Sequence, residues 1–144
     1  MRILQGLVTG LISGTVLGLF LKLVETLTKL KVYTLLLNID FIYIGYIPEI
    51  LEFIIHLAVS VIIGIIFVFF THSLKLIQMK QQVLLSCFLT LPTVFLYFPL
   101  TILAIKEKPD ILDFTAILWW TLGHLLYALI LPIPLRLFSK STKK

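Results

Sequence analysis

Six side chains capable of proton transfer or polar binding lie within long apolar segments: Lys22, Glu25, Glu52, His56, His124 and Tyr127. Lipid solvates ionisable groups poorly, so such residues in membrane segments are by default functional candidates. Carboxylates and histidines in this setting are the usual parts of proton relays and polar solute sites. We predict that the first four form a polar cluster in one half of a helical bundle, with the last two deeper.

Helical spacing supports part of this cluster. Glu52 and His56 are four residues apart, which places them on one helix face together with Ser60. At the helical rise they lie about 6 Å and about 12 Å inward from the start of their segment. Lys22 lies near the end of its segment, and it either snorkels to the membrane surface or joins a buried pair. His124 suits either a binding role or a hydrogen bond between helices.

Glycines recur at every fourth residue of the first segment, at Gly6, Gly10, Gly14 and Gly18. In lipid, small residues at this spacing allow another helix to pack closely. Gly64 lies on the polar face of the second segment and suits packing against the first. Alternatively, the glycine face binds a partner protein or a second copy of the chain.

The composition predicts a membrane protein. Hydrophobic residues make up 60% of the 144 residues and charged residues only 13%, more apolar surface than a small soluble domain can bury. Four segments are long enough to span a bilayer, at about 3–27, 48–70, 83–105 and 111–138. Because none shows sustained alternation, we predict a single all-α domain over residues 1–144, a bundle of four transmembrane helices.

The connection over residues 31–47 is too apolar for a solvated loop and too short to span twice. Its aromatic residues are of the type that lie at membrane interfaces. We therefore expect either an amphipathic surface helix, which we favour, or a re-entrant segment. A short basic tail is predicted over residues 139–144.

Charged residues are distributed unequally between the two ends of the predicted bundle. Only basic residues lie at the end with the termini: Arg2, Lys75, Lys80, Arg136, Lys140, Lys143 and Lys144. The opposite loops mix lysines with aspartates and glutamates. By the positive-inside rule, both termini are expected in the cytoplasm. These flanks also explain the net charge of +5, so we expect the lipid bilayer as a partner and no nucleic acid.

No catalytic motif is recognisable in the sequence. There is no P-loop and no GxSxG motif. The histidines and carboxylates lack the local spacing that is typical of metal sites. We therefore expect no enzymatic activity, no metal and no cofactor.

Four features occur in order along the chain: a glycine-rich first helix that leads to Lys22, H-x-x-x-S at His56–Ser60, FP at Phe98–Pro99 and WTLGH at Trp120–His124. In these features the chain resembles the small bacterial inner-membrane proteins typified by YagU. The resemblance implies a multi-pass protein of the bacterial plasma membrane, and it adds no reaction.

Two functional hypotheses are consistent with these patterns. In the first, the polar cluster handles protons or a small polar solute. In the second, the protein is a structural scaffold or accessory subunit whose polar residues only hold helices together. Its glycine face would then pack against a membrane-protein partner or against a second copy in a homo-oligomer.

Overall fold

The structure, a computed structural model, describes residues 1–141, with side chains described through residue 138. Within these residues the chain forms helices and no strands, which confirms the all-α class. The helices are α1 Arg2–Thr28, α2 Val32–Leu36, α3 Glu49–Ser73, α4 Met79–Phe95, α5 Tyr97–Leu103, α6 Phe114–Ile130 and α7 Pro132–Ser141. The basic side chains predicted over 139–144 lie outside the described part of the chain.

Four helical stretches are long and apolar enough to cross a membrane: Arg2–Thr28, Glu49–Ser73, Met79–Leu103 and Phe114–Phe138. They coincide with the four predicted spans, and their ends differ from the predicted ends by a few residues. These lengths and compositions are those of a multi-pass membrane protein.

The third and fourth spans each consist of two consecutive helices. α4 and α5 meet at Leu96, four residues after Pro92, and α7 begins at Pro132 directly after a one-residue break from α6. Proline cannot donate a backbone hydrogen bond and disturbs a helix that contains it. The fourth span begins at a side-chain cap, because Asp113 accepts from the Ala116 N–H at 3.0 Å.

The glycine face of α1 lies directly against α3. A Cβ added at Gly10 would lie 2.5 Å from the carbonyl oxygen of Ser60 and 2.6 Å from Cα of Val61. A Cβ added at Gly64 would lie 2.7 Å from the backbone nitrogen of Gly10. The two backbones therefore touch without a side chain between them, which is the packing that small residues permit. The other glycines of this face also meet α3: Gly6 meets the backbone and side chain of Ile65, Gly14 meets the side chain of Ser60 and Gly18 that of Phe53.

The connections at residues 29–48 and 104–113 close one end of the bundle, which we call the capped end. Helix in the first connection is confined to Val32–Leu36, so the favoured surface helix over 31–47 does not form at that length. Residues 37–40 are buried and residues 41–46 are exposed. Asp40 joins the two connections, since its Oδ2 accepts from the backbone N–H of Ile105 at 2.7 Å and of Lys106 at 3.0 Å.

Candidate functional site

The predicted polar residues divide between two pockets that share Glu52. Lys22 and Glu25 line one with Glu52, at the end of the bundle that carries the two connections. His56, His124 and Tyr127 line the other with Glu52. Lys22 Nζ donates to Glu49 Oε1 at 2.6 Å, and both side chains are more than half exposed. Glu25 instead accepts from the backbone N–H and the hydroxyl of Thr34, each at 2.8 Å. Lys22 and Glu25 thus bind separate partners, although both line the same pocket.

The rim of the capped end is an exposed charge network. Burial raises the pKa of Tyr33, and the Glu49 carboxylate, which accepts from its hydroxyl at 3.0 Å, raises this pKa further. A hydrogen bond to Glu107 and the nearby Glu25 charge raise the pKa of Lys31, with N–O separations of 3.2 and 3.7 Å. Exposed ion pairs of this kind stabilise a protein only weakly. The rim therefore positions the first connection and contributes little to the free energy of folding.

Asp40 is the firmest fastening of the capped end. Burial alone would raise its pKa, but hydrogen bonds from the backbone of Lys106 and Ile105 and from the Asn38 side chain bring the pKa below its ordinary value. The carboxylate is therefore charged and accepts three hydrogen bonds, the third from Asn38 Nδ2 at 2.9 Å. It holds residues 37–40 against the 104–113 connection.

A partly open cavity of about 190 Å³ lies next to this fastening. It is lined by α1, α3, α4, α5, α6 and residues 36–42, and most of the lining side chains are apolar. Two of the lining residues, Val59 on α3 and Leu96 at the junction of α4 and α5, are 50% and 45% exposed on the outside of the bundle. Val59 and Leu96 therefore form a wall of the cavity that borders the surface that lipid would cover.

Four polar side chains line the cavity in a group that we call the polar stripe: His56, Ser60, His124 and Tyr127. The Ser60 hydroxyl donates to the carbonyl oxygen of Gly10 at 2.7 Å, and the Tyr127 oxygen lies 3.1 Å from Ser60 Oγ. The Tyr127 hydroxyl also lies 3.3 Å from the Ser60 carbonyl oxygen, to which it donates. The polar stripe therefore joins α1, α3 and α6 at the point where the glycine face brings α1 and α3 together.

Backbone carbonyls determine which nitrogen of each histidine carries the hydrogen. His56 Nε2 lies 3.1 Å from the carbonyl oxygen of Gly14, and His124 Nδ1 lies 2.8 Å from that of Trp120. A carbonyl oxygen only accepts, so these nitrogens are the donors. No carboxylate among the described residues pairs with either ring, and a buried unpaired charge is costly. Both rings are therefore neutral, and the second nitrogen of each is an acceptor.

Glu52 also lines the cavity, as the helical spacing predicted, and it is buried. Its partner is Lys106 from the 104–113 connection, which forms a hydrogen-bonded ion pair with it. The sequence interpretation used Lys106 only for the orientation of the chain. A buried carboxylate is favoured by a cationic partner, so the lysines of the loops at the same end of the bundle, among them Lys106, were the candidates that the sequence offered.

The site offers hydrogen bonding and apolar contact. Among the described residues, no three His, Cys, Asp or Glu side chains are grouped so that they could hold a metal ion. Comparison of the chain with protein-family models, curated proteins and solved structures gives no match.

Proposed function

We propose that this chain is a multi-pass plasma-membrane protein that binds a small solute in the cavity lined by the polar stripe. The observation that carries the proposal is a cavity with mostly apolar walls and a few fixed polar groups, which is typical of ligand sites. Its volume of about 190 Å³ exceeds that of a ~150 Å³ apolar cavity known to hold benzene. The solute therefore has the size of a substituted benzene ring or a short aliphatic chain.

The charge asymmetry supports a proposed orientation with both termini in the cytoplasm. In that orientation the capped end, and the cavity next to it, lie toward the outer side of the membrane. Membership of the YagU-type family, and with it a bacterial inner membrane, is part of the same proposal. It rests on the four motifs of the sequence, two of which contain His56, Ser60 and His124 of the polar stripe.

Solute binding accounts for the geometry better than a proton relay does. A relay requires titratable groups connected in a chain. Glu52 is paired with Lys106, and no hydrogen bond among the described residues connects Glu52 with His56 or His56 with His124. Both histidines donate to backbone carbonyls instead.

The scaffold hypothesis loses its proposed surface, because α3 covers the glycine face of α1. The Cβ positions of Gly10 and Gly64 are occupied by the backbone of the opposite helix. A partner protein or second copy would therefore have to bind a different face of the bundle.

Filling the cavity tests the proposal. Ile63 lines the cavity, whereas the adjacent Ile62 is 57% exposed and does not line it. The Ile63→Trp substitution places a larger side chain in the cavity and reduces its volume, and the matched Ile62→Trp control adds the same group on the outside of α3. Both proteins are reconstituted in lipid nanodiscs, and the binding of para-fluorotoluene and para-fluorophenol is followed by fluorine NMR against empty nanodiscs.

We expect a bound resonance from at least one probe in the wild-type protein and in Ile62→Trp, and its loss in Ile63→Trp. The proposal is refuted if neither probe gives a protein-dependent resonance, or if both tryptophan variants bind as the wild type does.

A further inference from the structure

We infer that the solute of this cavity is a neutral hydrogen-bond donor with an apolar body, of the class of phenols. The inference rests on the proposed binding function and specifies its ligand. It is carried by the direction of the hydrogen bonds of the polar stripe, whose four side chains offer a ligand acceptors and no donor.

The polar side-chain hydrogens of Ser60, Tyr127 and the neighbouring Trp120 are all used on backbone carbonyls. Ser60 donates to Gly10 at 2.7 Å, and the Tyr127 hydroxyl donates to the Ser60 carbonyl at 3.3 Å. The indole N–H of Trp120, which also lines the cavity, donates to the carbonyl oxygen of Val94 at 3.1 Å. None of these three side chains has a second hydrogen on a polar atom.

The two histidines complete this pattern. Each neutral ring has a single N–H, and His56 and His124 donate theirs to backbone carbonyls at 3.1 and 2.8 Å. The other nitrogen of each ring has no hydrogen-bond partner among the described residues. A ligand that accepts hydrogen bonds finds no donor at the polar stripe, whereas a ligand hydroxyl finds two ring nitrogens that accept.

The charge of the cavity favours a neutral ligand over an ammonium ion. The Glu52 carboxylate is the anionic group of the lining, and Lys106 already neutralises it. A cationic ligand would have to compete for the Glu52 carboxylate with Lys106, which belongs to the same chain. A buried charge without a partner of its own is unfavourable, so a hydroxyl is preferred.

The walls define the rest of the ligand. The ring of Trp120 lies 4.6 Å from the ring of His124, between centroids, so the cavity has a flat aromatic side. The wall at Val59 and Leu96 is apolar on both its cavity side and its outer side. A molecule that crosses this wall comes from the lipid phase and must be apolar over most of its surface. A phenol meets both requirements.

The experiment compares para-fluorophenol with para-fluorotoluene, which differ only in a hydroxyl that replaces a methyl group of similar size. Dissociation constants are measured by fluorine NMR on the full chain in nanodiscs, and each is corrected for partitioning of the probe into empty nanodiscs. One hydrogen bond to an otherwise unpartnered acceptor gives an expected preference for the phenol of about fivefold to tenfold. Each of His56→Phe and His124→Phe removes one of the two acceptor nitrogens. The preference for para-fluorophenol is expected to disappear in the variant that lacks the nitrogen to which the phenol hydroxyl donates.

The possible results separate the two proposals. Equal binding of both probes, or a preference for the toluene, overturns the donor inference and leaves solute binding intact. Binding of neither probe removes both proposals. The comparison in the wild-type protein needs no variant, so a failure of either histidine variant to fold does not affect the test.

Discussion

Substitution of Gly10 by alanine tests the direct backbone contact between α1 and α3. The added Cβ would lie 2.5 Å from the Ser60 carbonyl oxygen and 2.6 Å from Cα of Val61, whereas ordinary contacts begin near 3.4 Å. Both obstructing atoms belong to the backbone, so no side-chain rotation relieves the overlap. The two helices must move apart by about 1 Å, which forfeits a quarter to a half of the dispersion energy at the contact.

Three contributions determine the change in the free energy of unfolding. Overpacking costs about 1–3 kcal/mol, and a contact between two backbones belongs in the upper half of that range. The separation also weakens the hydrogen bond from Ser60 to the Gly10 carbonyl, worth about 1 kcal/mol. Alanine returns about 1 kcal/mol through its higher helix propensity. The expected net loss is about 2 kcal/mol, or about 30-fold in the folding equilibrium.

The matched control is Gly123→Ala on α6, which has the same gain in helix propensity. Its Cβ would meet only the side-chain ends of Leu21 at 3.0 Å and Leu17 at 3.1 Å, which can shift. We expect its stability to stay within about 1 kcal/mol of the wild type. Reversible unfolding in mixed micelles, followed by circular dichroism, measures both variants. If Gly10→Ala is no less stable than Gly123→Ala, α1 and α3 do not pack in the way described.

Three further predictions concern the capped end and the orientation. Lys106→Met leaves the buried Glu52 carboxylate unpaired and is expected to lower the free energy of unfolding by about 3 kcal/mol. Glu52→Gln leaves a partly exposed lysine and is expected to lower it by about 1 kcal/mol. Equal losses in the same unfolding assay would contradict the pairing. Because the pKa of Asp40 is lowered on folding, its stabilisation is complete above pH ~4 and is lost as the pH falls below that value. The stability advantage of the wild type over Asp40→Asn should shrink under acid, and parallel pH profiles would show that Asp40 has no such role. The orientation is tested with Lys108→Cys and Lys75→Cys, each in a cysteine-free background. The first should react with an impermeant maleimide in intact cells, and the second only after permeabilisation. The opposite pattern would contradict the proposed orientation.

The spans were predictable because they depend on local properties of the sequence. Length and hydropathy identify a membrane helix without any knowledge of its neighbours. The breaks at Leu96 and Leu131 lie near Pro92 and Pro132, which are visible in the sequence. Whether a proline interrupts its helix also depends on the packing around it. The four-residue glycine spacing indicated close packing, and Gly64 favoured the second span, α3, as the helix that packs there. The spacing alone left a partner protein or a second copy as alternatives.

The site was predictable only in part, since helical spacing gives the face and depth of a residue but not its partner. His56 and Ser60 share a face and line the cavity together, as their spacing indicated. Glu25 binds Thr34, which lies in the short helix α2 of the first connection. Lys106 reaches Glu52 across 54 residues of sequence. Such partners follow from the path of the loops, which depends on tertiary contacts.

The connection between α5 and α6 holds two walls of the cavity at once. The backbone N–H groups of Ile105 and Lys106 donate to Asp40, which fixes residues 36–42 over the cavity. The side chain of Lys106 binds Glu52 on the wall formed by α3. A displacement of this connection would strand two buried carboxylates together, which is far costlier than a loss of either contact at an exposed site. The capped end therefore holds two walls of the cavity in place, and we expect a solute to enter from the lipid phase past the apolar side chain of Val59.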